Sequence, residues 1–390
     1  MRYLLVFVCF VLFACSSTKR TATTSQGSFQ SYIDSVTKQY APDKRTVLFA
    51  VEQKGNVVKG ETISAEAKTA LINHLNKAGL NYIDSIVVLP NADLQNKTKG
   101  VVTISVANLR TQPAHKAELA TQATLGTPVT IWKRERGWSL VQTPDKYLAW
   151  VDGDAIERMD DAQFIKWQQQ PKIIYTQPYG FAYEKASASA ATVSDLVYGN
   201  VLELTGTMGD HYETKLPDGR KAYIWKEHSM PLEEWKKSRQ PSTDNFIQTA
   251  KQLMGLPYLW GGTSFKGVDC SGFTKTVYFM NGLVLPRDAS QQIMIGEEID
   301  TKNGWQNLQP GDLLFFGRKA EGDRPESVVH VGMWIGNNQF IHASGKVRVS
   351  SFDANAPNYD ASELRRFLRA KRISPQTSLI DLRNTGLFGQ

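Results

Sequence analysis

The chain has 390 residues, of which 41% are hydrophobic and 21% charged, a composition that is typical of folded domains and excludes wholesale disorder. This length allows two to four domains that each bury a core. The net charge of +7 is scattered among acidic residues and forms no arm suited to nucleic acid, so we expect no nucleic-acid partner and only a mild affinity for anionic polymers or membrane surfaces.

The N-terminus has the pattern of an export signal. A positively charged start precedes an apolar run over residues 3–14, which is too short to span a bilayer as a helix. Cys15 follows a small residue directly, which resembles the bacterial lipobox, where the new N-terminal cysteine is lipidated. We predict a lipoprotein signal over 1–15 with lipidated Cys15, and a plain signal with a chance cysteine is the alternative. The protein would then be an exported lipoprotein of the cell envelope, anchored in the outer membrane and facing the periplasm.

Two kinds of segment follow the signal. Residues 16–28 are rich in Ser, Thr and Lys and predict a tether. Residues 29–98 predict a small α/β segment in which Ser64 caps a helix. Its strands and helix are expected at 46–51, 64–78 and 83–89.

The middle of the chain changes to short strands separated by turn residues. Alternating apolar residues with Asp and Gly turns every ten or so positions predict two small β-barrels, over 99–160 and 165–237. The segment 106–111 (Val-Ala-Asn-Leu-Arg-Thr) and the tryptophan-rich meander after it resemble the bacterial SH3-like domain of cell-wall enzymes. Such barrels bind or position more often than they catalyse.

Beyond a polar linker at 231–241, residues 243–390 predict one compact α+β unit. Helices come first and antiparallel strands follow, an order that favours helices packed on one sheet. The expected helices lie at 245–254, from Cys270 onward and at 291–295, and the expected strands lie at 312–316, 328–335 and 338–343.

This last unit carries the chemistry. Cys9 leaves with the signal and Cys15 is lipidated, so Cys270 is the one thiol expected to stay free. Because Cys270 opens a helix, the helix dipole favours its thiolate. His330 and His342 lie on two strands joined by a tight turn, and hairpin pairing would bring them together. The pattern predicts Cys270 as nucleophile, His330 as general base and His342 as the group that fixes the base's tautomer.

Two other interpretations of these three residues stay open. The thiol could be buried and inert, with both histidines structural. Cys270, His330 and His342 could instead ligate zinc, although the flanks of Cys270 lack the paired spacing that is usual for zinc.

Six motifs, in order and at family-like spacing, resemble the NlpC family of papain-like cysteine peptidases. They cover the whole C-terminal unit: 257–262 (Pro-Tyr-Leu-Trp-Gly-Gly), 269–273 (Asp-Cys-Ser-Gly-Phe), 286–288 (Pro-Arg-Asp), 310–313 (Pro-Gly-Asp-Leu), 330–332 (His-Val-Gly) and 341–343 (Ile-His-Ala). With two preceding barrels, the arrangement is more similar still to the dipeptidyl-peptidase VI type, the γ-D-glutamyl-L-diamino acid endopeptidases. The resemblance implies a papain-like catalytic domain preceded by SH3-like barrels.

The resemblance also implies roles for residues around the nucleophile. Asp288 would bind the ammonium group of an N-terminal L-Ala, and Tyr258 would place its hydroxyl near the oxyanion. The flanking Asp269 and Ser271 would line the same pocket, which the first barrel would close with Glu118 and Tyr147. Ala289 stands where a relative could carry serine, and this leaves the fine structure of the pocket open.

The expected activity is hydrolysis of the γ-D-glutamyl-L-diamino acid bond in peptidoglycan stem peptides or murein fragments with a free N-terminal L-Ala, releasing L-Ala-γ-D-Glu. We expect a monomer that requires no metal or organic cofactor. The alternatives are a catalytically inert wall-binding adaptor and a papain-like amidase or acyltransferase. The sequence leaves diaminopimelate and lysine equally open at the third stem position.

Overall fold

A computed structural model describes residues 26–389. The predicted signal and Cys15 lie outside the described residues and stay predictions. The first helix, α1 (Gln26–Tyr40), begins inside the range predicted as a tether. Within residues 26–389, no helix is both long and apolar enough to cross a membrane.

An N-terminal unit combines two helices with a three-stranded sheet. Helices α1 and α2 (Ala65–Lys77) pack together beside strands β1 (Phe49–Lys54), β2 (Val57–Thr62) and β3 (Ile83–Val88). Ser64 caps α2 as predicted, because its side chain accepts a 3.0 Å hydrogen bond from the backbone N–H of Ala67. Strands β2 and β3 are parallel and α2 connects them.

The next unit is a seven-stranded antiparallel barrel, here called barrel 1. Its strands are β4 (Lys99–Val102), β5 (Val106–Arg110), β6 (Leu119–Thr124), β7 (Pro128–Glu135), β8 (Trp138–Gln142), β9 (Leu148–Asp152) and β10 (Ile156–Met159). They pair in the order β10-β4-β7-β8-β9-β5-β6. Alternating apolar residues of these strands fill its core.

Helix α3 (Asp161–Gln169) leads into a second seven-stranded barrel, barrel 2. Its strands are β11 (Lys172–Tyr175), β12 (Tyr179–Tyr183), β13 (Thr192–Val197), β14 (Val201–Met208), β15 (His211–Lys215), β16 (Lys221–Trp225) and β17 (Ser229–Pro231). The segment expected as a polar linker instead forms helix α4 (Leu232–Ser238), because Leu232 and Trp235 are buried against the barrel.

The C-terminal unit packs helices against a six-stranded antiparallel sheet. The helices are α5 (Thr243–Gln252), α6 (Cys270–Met280), α7 (Ala289–Gln292) and α8 (Ala361–Arg366). The sheet contains β21 (Glu297–Ile299), β22 (Leu313–Arg318), β23 (Ser327–Gly336), β24 (Gln339–Ser344), β25 (Lys346–Ser351) and β26 (Phe367–Arg372), in the order β21-β26-β22-β23-β24-β25. Two short ribbons complete the unit: β18 (Thr263–Ser264) with β19 (Gly267–Val268), and β20 (Leu283–Val284) with β27 (Ile380–Asp381). Phe273 and Val277 of α6 are completely buried, and α6 contacts β23 and β24.

Barrel 1 is fastened to the C-terminal unit by polar contacts. The buried Gln122 side chain of β6 accepts hydrogen bonds from the Thr263 backbone N–H at 3.0 Å and from the Ser264 hydroxyl at 2.9 Å. Lys275 of α6 forms a 2.7 Å ion pair with Asp145 of the β8–β9 loop. The barrel therefore packs directly beside the helix that begins with Cys270.

One glycine allows the closest approach of these two units. Gly261 has a φ of +79°, and a Cβ at this position would lie 2.3 Å from the carbonyl oxygen of Leu119 in β6. A larger residue would push β6 away from the loop that precedes Cys270.

Candidate active site

Cys270 occupies the first turn of α6, as the sequence predicts, and is the only cysteine of residues 26–389. Asp269 caps the helix, with one carboxylate oxygen accepting a 2.7 Å hydrogen bond from the Gly272 N–H. A Cβ at Gly272 would lie only 1.9 Å from the Gly262 carbonyl oxygen, so the helix start packs tightly on the loop before it. Local sequence thus determines where the Cys270 thiol lies.

The carboxylate of Asp269 is saturated by protein donors. Arg287, of which 1% of the side chain is exposed, donates to both oxygens at 3.1 and 2.6 Å. The Gly261 N–H donates a further bond at 2.9 Å. Arg287 also donates to the hydroxyls of Ser271 at 3.0 Å and Thr121 of barrel 1 at 3.0 Å. Asp269 and Ser271 line the pocket as expected, but their polar atoms face Arg287 and hold the helix start in place.

Burial favours the neutral form of the Cys270 thiol, against the expectation from the helix dipole. Burial, followed by the negative charge of Asp269, raises the pKa of Cys270 to about 11. Hydrogen bonds from the backbone N–H groups of Val331 and Ser271 act in the opposite direction and do not offset burial. The contact with Val331 places the sulfur beside the strand residue that directly follows His330.

His330 and His342 face each other on adjacent strands. The Nε2 atom of His330 lies 2.7 Å from Nδ1 of His342. The other ring nitrogen of His330, Nδ1, takes no part in this contact. Burial, together with the charge of Arg366, lowers the pKa of His330 to about 4. The imidazole is therefore neutral at pH 7 and able to accept a proton.

A chain of hydrogen bonds fixes the tautomers of both rings. Nε2 of His342 lies 3.0 Å from the hydroxyl of Ser350, and that hydroxyl donates to a carboxylate oxygen of Asp360 at 3.3 Å. Since the carboxylate can only accept, Ser350 accepts from His342, His342 accepts from Nε2–H of His330, and Nδ1 of His330 is left unprotonated. Sequence reasoning found the two histidines but not Ser350 and Asp360.

The zinc alternative is not supported by the donor set. Among the described residues, His330, His342 and Glu363 bring potential ligand atoms within 4.8 Å of one another, and Cys270 is not part of this group. The facing histidine nitrogens bond to each other, and Glu363 pairs with Arg366. These contacts suit a buried catalytic network better than an open metal site.

Cys270 opens into a pocket of about 410 Å³ that three units of the chain enclose. Glu118 and Tyr147 enter from barrel 1, and Asp288 enters from the turn before α7. The Tyr147 hydroxyl donates to Asp288 at 3.0 Å, and the Trp260 indole N–H donates to Glu118 at 2.6 Å. The structure thus brings together the residues that the sequence placed here.

Tyr258 lies close enough to Cys270 for the two groups to interact electrostatically. Burial, followed by the negative charges that Cys270 and Asp269 carry when ionised, raises the pKa of its hydroxyl above the usual range. The hydroxyl therefore stays protonated and available as a hydrogen-bond donor.

Arg287 and Arg45 are pocket residues that sequence reasoning missed. The motif at 286–288 contained a signal for Arg287, because an arginine between a proline and a predicted binding aspartate is a natural partner for a nearby acid. Arg45 carried no such signal, since it comes from the N-terminal unit and reaches Asp288 at 2.8 Å across 243 positions.

A cysteine at the start of a helix, packed against a sheet that carries a hydrogen-bonded histidine pair, defines a papain-like cysteine peptidase. Residues 255–366 match the NlpC/P60 family, and residues 109–156 match the bacterial dipeptidyl-peptidase Sh3 domain. The chain belongs to the NlpC/P60 family.

Individual relatives cover most of the chain. A γ-D-glutamyl-L-lysine dipeptidyl-peptidase from Bacillus cereus is 32% identical over 66% of this chain and 76% of its own length. Dipeptidyl-peptidase 6 from Lysinibacillus sphaericus is 28% identical over 66% of this chain and 93% of its own length. The crystal structure of an NlpC/P60 family protein from Bacillus cereus, 28% identical, superposes with a TM-score of 0.58 over 70% of this chain and 99% of that protein.

The neutral thiol gives a first testable prediction. We expect the ultraviolet absorbance of a thiolate to be missing from the difference between wild type and Cys270→Ser at pH 7 and to grow only as the pH approaches about 11. The variant serves as the control, because it keeps every tyrosine that ionises over the same range. Full thiolate absorbance at neutral pH would show that a thiolate–imidazolium pair exists at rest.

The tautomer chain gives a second prediction. Ser350→Ala removes the hydrogen-bond acceptor for His342. The preference for the tautomer with an unprotonated Nδ1 on His330 then falls by the free energy of about one hydrogen bond. We therefore expect kcat to fall roughly tenfold with little change in KM. Ser351→Ala, at the neighbouring buried serine of β25, is the matched control and should keep kcat. Steady-state kinetics decide, and an unchanged kcat in Ser350→Ala would remove this role.

Proposed function

We propose that the protein hydrolyses the γ-D-glutamyl-L-diamino acid bond of peptidoglycan stem peptides that carry a free N-terminal L-Ala. The family and both relatives support a peptidase, and the name of the Bacillus cereus relative supports this class of bond. The observation that carries the specificity is the grouping of Asp288, Tyr147 and Glu118 in the pocket of Cys270.

The two carboxylates suit a cationic end of the substrate. Of the two oxygens of Asp288, one accepts hydrogen bonds from Tyr147 and Arg45, and the other lies 4.0 Å from Arg287. Glu118 stands across the pocket with one oxygen bonded to Trp260. An ammonium group near these acids would gain charge-assisted hydrogen bonds. A peptide of L-Ala and γ-D-Glu supplies such an ammonium group on the residue directly before the one that carries the scissile carbonyl.

The reaction begins with attack of the Cys270 sulfur on the γ-carbonyl carbon. His330 accepts the thiol proton at Nδ1 as the S–C bond forms, and His342 stabilises the resulting imidazolium through its hydrogen bond. His330 then donates this proton to the departing amine of the diamino acid, which leaves a thioester on Cys270. Water, deprotonated by His330, hydrolyses the thioester and releases L-Ala-γ-D-Glu.

The oxyanion would be held by two kinds of donor. Free N–H groups of the first turn of α6 lie beside the sulfur, and the protonated hydroxyl of Tyr258 stands nearby. Fixed donors of this kind stabilise the negative charge of the tetrahedral intermediate more than the neutral carbonyl.

The reaction is tested with defined tripeptides. We expect wild-type protein to release L-Ala-γ-D-Glu from L-Ala-γ-D-Glu-meso-diaminopimelate or from the L-lysine counterpart, as detected by mass spectrometry. Cys270→Ala should abolish release while circular dichroism and the unfolding temperature stay unchanged, because only the nucleophile is lost. Retained cleavage in Cys270→Ala, or no cleavage of either tripeptide by wild type, would contradict the proposal.

The amine subsite is tested separately. Wild type should strongly prefer the free tripeptide over its N-acetylated form, and Asp288→Asn should reduce that preference about tenfold or more through KM, because a charge-assisted bond is lost. Asp323→Asn, the same change at an exposed acid of the same unit, should leave the preference unaltered. Equal rates on free and acetylated tripeptides in wild type would show that Asp288 has another role.

A further inference from the structure

Arg45 separates the catalytic pocket from a second cavity. A groove of about 860 Å³ runs between the N-terminal unit and α7, lined in part by Asp43, Lys44 and Met294. The catalytic pocket and this groove share two lining residues, Arg45 and Ser290. Arg45 and Ser290 therefore form the wall that the groove shares with the pocket that contains Asp288.

The wall is built from directed bonds. One Nη1 atom of Arg45 donates to Asp288 at 2.8 Å and to the Ser290 hydroxyl at 2.9 Å. On the groove side, Nε and Nη2 donate to the two oxygens of Asp43, each at 2.8 Å. A single guanidinium thus lies between two carboxylates, one in the pocket and one in the groove.

The backbone around Arg45 is held from both neighbouring units. The Leu148 N–H of barrel 1 donates to the Arg45 carbonyl at 2.7 Å, and the Gln142 side chain donates to the Thr46 carbonyl at 2.8 Å. On the other side, Gln291 of α7 donates to Asp43 at 2.8 Å. The segment is therefore anchored at the mouth of the pocket rather than lying loosely over it.

We propose that Arg45 closes the amine subsite and thereby makes the enzyme require a substrate that begins with L-Ala. This inference rests on the proposed function, in which Asp288 binds the L-Ala ammonium group. A residue placed before L-Ala would have to enter the space that the Arg45 guanidinium fills. Arg45 lies outside both segments that match known families, so neither match assigns it a role.

The charges predict what happens when the wall is removed. Arg45→Ala joins the pocket to the groove and removes the guanidinium partner of Asp43, which keeps its hydrogen bond from Gln291. The two carboxylates bond to the same guanidinium, and one added residue extends a peptide by about 3.5 Å. A glycine placed before L-Ala would then carry its own ammonium group from the neighbourhood of Asp288 to Asp43, where it finds a new partner.

The test compares two substrates with purified full-length variants. The first is L-Ala-γ-D-Glu-diamino acid, and the second is the same peptide extended by an N-terminal glycine. Wild type should cleave the first and discriminate strongly against the second. In Arg45→Ala we expect the ratio of kcat/KM for the first peptide to kcat/KM for the extended peptide to fall about tenfold or more. The main cause is faster release of Gly-L-Ala-γ-D-Glu, because the extended peptide gains about one charge-assisted hydrogen bond.

Matched variants distinguish closure from a structural role. Lys44→Ala removes the neighbouring exposed cation and should leave the ratio at its wild-type value, and Arg45→Lys should stay selective because it refills most of the space. A purely structural role for Arg45 would lower both rates in proportion, together with the unfolding temperature. Should Arg45→Ala fold poorly, Arg45→Gln should change the ratio in the same direction by less.

The outcomes separate this inference from the proposed function. Equal cleavage of both peptides by wild type would overturn the free-amine subsite and the role of Arg45 with it. A selective wild type with an equally selective Arg45→Ala would overturn the role of Arg45 alone. A fall in the ratio confined to the Arg45 variants that empty the space supports closure.

Discussion

The buried ion pair between Arg287 and Asp269 holds the rest of the active site in position. Asp269 caps the helix of the nucleophile, and Arg287 ties that cap to Thr121 in barrel 1. Because both charges are withdrawn from water, removing either one would strand the other at a cost of roughly 3–5 kcal/mol. Asp288 follows Arg287 directly in the chain, so the same guanidinium also helps to position the carboxylate that we propose as the amine-binding group.

Burial has a larger effect on the pKa of the Cys270 thiol than the helix dipole. A helix N-terminus stabilises an anion by at most about 2 kcal/mol in favourable geometry. The rise in the pKa of Cys270 from 9.0 to about 11 is the net result, and two pKa units correspond to roughly 3 kcal/mol against the thiolate. Burial lowers the pKa of His330 at the same time, so a neutral thiol and a neutral imidazole are favoured over an ion pair.

Sequence periodicity was sufficient for those parts of the site that depend on local structure. The helix starting at Cys270 and the pairing of His330 with His342 follow from capping residues, alternation and a tight turn. The neutral state of the thiol could not be predicted, because it depends on burial by distant segments. The contact between Arg45 and Asp288 could not be predicted either, because it forms only when the N-terminal unit packs against the C-terminal unit. The helix at 232–238 was mistaken for a linker because its polar composition hides two residues that pack on barrel 2.

The neutral, buried thiol has a consequence for chemical probes of the enzyme. Alkylating reagents react with thiolates, so a simple electrophile in solution should modify resting Cys270 slowly even though the catalytic apparatus is complete. Under the proposed function, an electrophile placed on a γ-glutamyl scaffold would instead occupy the pocket, and His330 would remove the thiol proton during bond formation. Slow labelling by a small reagent would therefore reflect the burial and raised pKa of the thiol. A substrate-like electrophile would be the better reporter of active enzyme.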